Sequence, residues 1–270
     1  MKQTIQKGLI YAAVFLFSAV GGFLLVRYLS GIDWLLLPIF LILSLFLLIN
    51  IHEFGHLLFG KMAGYELMAY KIGPLTWRYE NGRFRFLFEP IKGFAGYCMM
   101  KPPGESVPKS KNLLFYGGGV LLNLTTGLLA LIVAICIPQT PHWLLIFLYP
   151  FAFLSLLVGG MNLCAFETGN NPTDGMIIWS LIRNNAFAHS FIHINQLMTE
   201  ITVGKRPRDI EALRRSEQEI RKEQPFQMTL ALYSLYHAID SGERAYRIYL
   251  LLYAAKQCLN TYRSRSPYEV

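Results

Sequence analysis

Four stretches, roughly Leu9–Leu29, Trp34–Phe59, Leu113–Ile137 and Trp143–Leu163, are nearly unbroken runs of apolar side chains. Each is about as long as the 20 or so helical residues needed to cross a bilayer core. In hydrocarbon such a run can satisfy its own backbone only as a helix or within a closed barrel, and runs of this length fit the helix. The expected fold class is therefore an all-α polytopic membrane protein with about four transmembrane helices. Composition agrees: of 270 residues, 53% are hydrophobic and 16% charged, against about 25% charge in a soluble domain. The apolar excess falls in blocks, which excludes one large soluble core. Leu9–Leu29 exceeds the 7–15 residues or so of a signal-peptide core and is not closed by a small-x-small cleavage pattern, so it reads as a retained first span.

Charge sets the orientation. The net charge of +8 comes from basic residues that flank the spans, so the positive-inside rule accounts for it and nucleic acid is not an expected partner. Lys61 to Lys111 and everything beyond Arg183 are rich in Lys and Arg, whereas Pro138-Gln139-Thr140-Pro141-His142 carries no formal charge at neutral pH. The first two regions should face the cytoplasm of a multi-pass cell-membrane protein, with both termini inside. The Ser30-Gly31-Ile32-Asp33 link reads as a tight turn, with Asp33 as N-cap of the second span. Cys98, Cys136, Cys164 and Cys258 form no CxxC pair, which argues against a disulfide framework or a zinc ribbon.

Within the second span lies His52-Glu53-Phe54-Gly55-His56. Four positions apart on a helix, the two imidazoles project from one face and can grip a single Zn²⁺, with Glu53 beside them to deprotonate a water. Ionisable groups at bilayer depth cost about 2.5–3.5 kcal/mol each on insertion scales, so three in five residues need a function. The bland alternative is a structural cluster packed between helices. His52 follows Trp34 by 18 residues, about 27 Å of helix, which puts the motif just below the cytoplasmic boundary of a core about 30 Å thick. A third ligand must come from elsewhere. Asp174, Glu167 and the pair His189/His193 are the candidates. Asp174 is favoured because Pro172 and Gly175 bracket it and would open a helix locally.

Between the second and third spans the pattern is not helical. Thr76–Glu80 and Arg83–Phe88 alternate apolar and charged residues around Asn81-Gly82, the signature of a β-hairpin. Trp77, Tyr79, Phe84, Phe86 and Phe88 fall on one face, and Arg78, Glu80, Arg83 and Arg85 on the other. This reads as an inserted cytoplasmic or interfacial hairpin, its aromatics toward lipid. Beyond the fourth span come a polar stretch, Glu167–Gly175, and a short apolar helix, Met176–Ile182. Helical tail segments at Met228–Asp240 and Arg244–Tyr262 follow, broken at Ser241-Gly242. The domains divide as residues 1–183, membrane-embedded, and 184–270, a cytoplasmic soluble helical tail.

Together these motifs resemble the site-2 protease family of intramembrane zinc metalloproteases. The matches are His52-Glu53-Phe54-Gly55-His56 and Asn171-Pro172-Thr173-Asp174-Gly175, with Gly93-Phe94-Ala95-Gly96-Tyr97-Cys98-Met99 and Gly117-Gly118-Gly119-Val120-Leu121-Leu122-Asn123 between them in family order. Val120 stands where the family usually has proline, and the stretch from Asn162 to Asp174 is longer than the family's compact spacing. The resemblance implies zinc as cofactor, His52, His56 and Asp174 as its ligands, and Glu53 as catalytic base. Gly96, Tyr97 and Asn123 become candidate substrate-binding residues. The expected partners are the lipid bilayer and a transmembrane protein or peptide, cleaved in its membrane segment. A membrane zincin of another class, or a non-catalytic binding or transport protein retaining the fold, are the alternatives.

Overall fold

The computed structural model describes residues 29–80, 82–91, 95–104, 107–168, 171–202, 204–210 and 227–242, together with residues 8, 12, 15–16, 18–23 and 213. Three long helices dominate: α1 (Asp33–Met62), α2 (Lys109–Cys136) and α3 (His142–Leu163). Each is long and apolar enough to cross a membrane, and among the described residues there are three such helices. About half of the expected first span, Leu9–Leu29, lies outside those residues, and the described residues 12, 15, 16 and 18–23 are helical. The expected last helix, Arg244–Tyr262, lies outside them.

These helices pack on one another around Leu48 of α1, Ala130 of α2 and Phe151 and Ala152 of α3. Their outer faces remain apolar: Leu35, Ile39, Ile42, Leu128, Leu129 and Ile135 are all exposed. An exposed apolar surface of this extent is unfavourable in water and suited to lipid. Where α1 and α2 cross, Gly55 and Gly118 meet backbone to backbone. A Cβ on Gly118 would lie 2.4 Å from the Gly55 carbonyl oxygen, and one on Gly55 would lie 2.3 Å from that of Gly118. Small residues at a crossing are what permit helices this close to gain dispersion contacts in lipid.

Asp33 does not cap α1 as expected. It is the first residue of the helix, and Ile32 occupies the cap position without a side-chain hydrogen bond. The carboxylate turns back instead, accepting the Ser30 N–H and lying 2.9 Å from His142 Nε2 at the start of α3.

The inserted region is larger than the single hairpin expected. It is a four-stranded antiparallel sheet of order β3-β2-β1-β4, built from β1 (Glu66–Ile72), β2 (Leu75–Glu80), β3 (Arg83–Phe88) and β4 (Gly96–Lys101). Gly82, at φ +81°, makes the turn of the expected hairpin. Its aromatic face forms as read from the alternation, with Trp77 against Phe86 and Tyr79 against Phe84, both at 5.3 Å between ring centroids. The other face pairs Arg78 with Glu89 and Arg85 with Glu80. β1 is hidden in the sequence because its ladder with β4 slips between Leu67 and Ala69. That irregularity leaves Met68 and Ala69 both buried and erases the period-two pattern.

A second, two-stranded ladder was not expected: β5 (Glu167–Thr168) pairs with β6 (Asn171–Pro172). It takes up the extra residues between Asn162 and Asp174 and returns the chain to the end of α3. Pro172 and Gly175 therefore do not open a helix; α4 (Asp174–Ile182) begins between them. Thr173 caps it, its Oγ1 accepting the Met176 N–H and donating to the Cys164 carbonyl. Gly175 is required at this joint, because a Cβ there would sit 2.0 Å from the Leu163 carbonyl oxygen.

By contact the chain divides into two compact units, Met1–Arg78 with Phe86–Trp179, and Tyr79–Arg85 with Ser180–Val270. The second contains α5 (Ala186–Thr202), a 3-10 turn at Pro207–Asp209 and α6 (Gln227–Ser241). Ile194, Leu197, Ile210 and Leu213 form its core cluster, and Arg206 pairs with Asp240. α6 stops at the expected break, where Gly242 takes φ +80°.

Candidate metal centre

The helical period of α1 sorts its motif residues. Glu53, Gly55 and His56 are buried, while Phe54 is exposed on the apolar outer face. His52 and His56 point the same way, their Nε2 atoms 3.2 Å apart. Asp174, the first residue of α4, completes a triangle. Its Oδ2 lies 3.0 Å from His52 Nε2 and 3.4 Å from His56 Nε2. These three residues form a group able to hold a metal ion. Their side chains are 12%, 9% and 16% exposed, enough for access by water but not for bulk hydration.

α2 closes the site from the other side, on one face at four-residue intervals. The Phe115 carbonyl lies 2.9 Å from His56 Nδ1 and accepts its proton, which fixes the ring and leaves Nε2 free to ligate. Gly119 faces the donor atoms: a Cβ there would lie 2.6 Å from His56 Nε2 and 2.9 Å from His52 Nε2. Asn123, fully buried, brings its amide 3.4 Å from His52 Nδ1. Phe115 is itself held by Tyr65, whose ring stacks on it at 4.9 Å and whose hydroxyl donates to Asn112 Oδ1. Burial pushes the Tyr65 phenol up to about 12, so this donor keeps its proton at physiological pH.

Strand β4 supports Glu53. Its Gly96 backbone lies against the Glu53 side chain. A Cβ on Gly96 would lie 2.7 Å from Ile49 and 3.0 Å from Glu53 Cγ, so only glycine lets the strand approach α1 this closely. Met100 faces α1 too, against Gly60. Strand alternation therefore turns Tyr97, opposite Lys71 in the ladder, to the other face of the sheet.

Of the residues singled out in the sequence, His52, Glu53, His56, Gly96, Asn123 and Asp174 thus come together, and Tyr97 does not. Glu167 is exposed in β5 and lies outside the donor group. His189 and His193 belong to α5, where His189 Nε2 lies 3.1 Å from Asn184 Oδ1, and they too are outside the group. The Phe115 carbonyl and the place of Gly119 were not legible in the sequence. The first is a backbone group with no signature of its own. The Gly117–Gly119 run was visible, but not which glycine faces the histidines.

Membrane-capable helices that converge on a His/His/Asp group define a membrane metalloprotein. The model of Peptidase family M50, the site-2 protease family, matches residues 40–212, more than half of the chain and all of this site. The chain belongs to that family, and membership implies an intramembrane metalloprotease. No curated protein and no solved structure matches it.

Proposed function

We propose that this protein is a zinc-dependent endopeptidase that hydrolyses peptide bonds in the transmembrane segments of single-span membrane proteins or leftover membrane peptides. The observation that carries this reading is the donor triangle, with edges of 3.0, 3.2 and 3.4 Å. Around a tetrahedral zinc with ligands about 2.0–2.1 Å away, ligand atoms stand about 3.3 Å apart. Two imidazoles and a carboxylate are also a donor set that zinc accepts while keeping a fourth position open. When bound, zinc acidifies a water and polarises a carbonyl.

The chain's own residues supply the rest. His52, His56 and Asp174 hold the ion. Glu53 takes a proton from the attacking water and returns it to the leaving amine, with the Gly96 backbone of β4 packed against its side chain. A helical substrate hides its peptide bonds and must unwind before attack. β4 is the end strand in the sheet order and packs on α1 at Glu53. An unwound segment that paired with its open edge would have its backbone satisfied while passing the base. On the charge pattern, the sheet and the tail face the cytoplasm, and the site opens toward that side. Cleavage there would release a cytoplasmic fragment.

The test is Glu53→Gln in purified protein given a single-span substrate. The amide matches the carboxylate in size but cannot take a proton, so cleavage should stop while zinc stays bound. Full cleavage by this variant would refute the mechanism. A wild-type protein that binds zinc yet cuts no transmembrane substrate would favour a non-catalytic binding role.

A further inference from the structure

We propose that Asn123 is a positioning residue for the metal centre, accepting the Nδ1 proton of His52 and so fixing the ring that ligates through Nε2. This inference rests on the zinc-site reading above and extends it to a residue that would otherwise be assigned to substrate or to helix packing.

Three observations carry it. The Asn123 side-chain nitrogen Nδ2 lies 3.4 Å from His52 Nδ1, and the residue is fully buried, with no surface to offer a substrate. It is also locked in place. Its backbone carbonyl accepts the Ser155 hydroxyl at 2.9 Å, and a Cβ on Gly159 would lie 3.2 Å from its own Cβ. Finally, Asn123 Oδ1 has no partner among the described residues. A neutral imidazole that offers its Nε2 lone pair carries its proton on Nδ1, so the group facing Nδ1 must accept. A half-turn of the amide plane exchanges Nδ2 for Oδ1 and brings the unpartnered acceptor to that place.

His56 shows the same design on the same helix. Its Nδ1 proton goes to the Phe115 carbonyl. Phe115, Gly119 and Asn123 follow one another at four-residue intervals along a single face of α2, opposite His56 and His52 on α1. One helix face thus supplies both outer partners and the gap between them. Metal-binding histidines characteristically donate their second ring proton in this way, and losing the partner costs about 10–100-fold in affinity or activity.

The experiment measures zinc affinity by chelator competition on the purified full-length protein, without a substrate. Wild type is compared with Asn123→Leu, Asn123→Asp and His52→Ala, and the thermal midpoint of each metal-free protein is recorded. Asn123→Leu should bind zinc about 10–100-fold more weakly. Asn123→Asp, which keeps an acceptor at Nδ1, should stay within a few-fold of wild type, a rescue that packing alone does not predict. If Asn123→Leu does not fold, Asn123→Ala takes its place with the same expectation. Wild-type affinity in the Leu or Ala variant, alongside loss in His52→Ala, would overturn the inference and leave the site standing. Wild-type affinity in His52→Ala as well would overturn the site and the inference together.

Discussion

Gly119→Ala adds one methyl group, and the structure says where it would go. The new Cβ would lie 2.6 Å from His56 Nε2, 2.8 Å from His52 Cε1 and 2.9 Å from His52 Nε2. Carbon–nitrogen contact at ordinary van der Waals distance needs about 3.5 Å, so close to 1 Å must be found. The two imidazoles can give way by rotating, which keeps the helices packed but moves the ligating atoms. Metal sites tolerate displacements of about 0.2 Å. The affinity loss should therefore exceed the 100-fold upper end for outer-partner changes, or more than about 2.7 kcal/mol. The assay is zinc content and chelator competition in detergent, with thermal unfolding of the metal-free protein alongside. Gly117→Ala is the matched control, since nothing lies within 4 Å of its Cβ. Alanine there should keep its zinc and gain a few tenths to about 1 kcal/mol in helix propensity. Wild-type zinc affinity in Gly119→Ala would refute the placement of α2 over the histidines.

The neighbouring glycine should behave differently. Gly118→Ala and Gly55→Ala each drive a Cβ into a backbone carbonyl that cannot rotate away, so thermal unfolding should show about 1–3 kcal/mol of lost stability, an overpacking cost. Asp174→Ala should lose activity and most of its zinc, while Glu167→Gln, outside the donor group, keeps both; metal analysis showing the reverse would reassign the third ligand. Single cysteines at Ser110 and Ser241 should resist an impermeant thiol reagent added outside intact cells. A separate variant that keeps Cys136 alone, exposed at the far end of α2, should react, and labelling of either introduced cysteine at its rate would invert the topology.

What could be read from the chain follows from how local each signal is. Apolar runs fix α1, α2 and α3 because lipid leaves a long apolar segment little choice but helix. Asn81-Gly82 fixes the hairpin because its turn chemistry is contained in two residues. The His52/His56 pair was legible for the same reason: one helical turn sets its geometry. β1 was not legible, since the irregularity at Met68 breaks the alternation that would have marked it. The β5–β6 ladder was missed because two-residue strands have no period at all. That ladder nonetheless shows how Asp174 reaches the histidines across the stretch that follows Asn162. The interaction that finishes the site, Phe115 carbonyl to His56, is made by a backbone atom and depends on the helix crossing at Gly55 and Gly118. No side-chain pattern encodes it.

In the proposed centre, His52, His56 and Asp174 share one zinc ion with an open fourth position. X-ray absorption at the zinc edge of the purified, zinc-loaded protein tests it most directly. The expected spectrum shows one zinc per chain, with two imidazole nitrogens and two oxygens at about 2.0–2.2 Å, one from carboxylate and one from solvent. A sulfur shell near 2.3 Å, a single imidazole, or zinc that washes out to substoichiometric levels would rule that centre out.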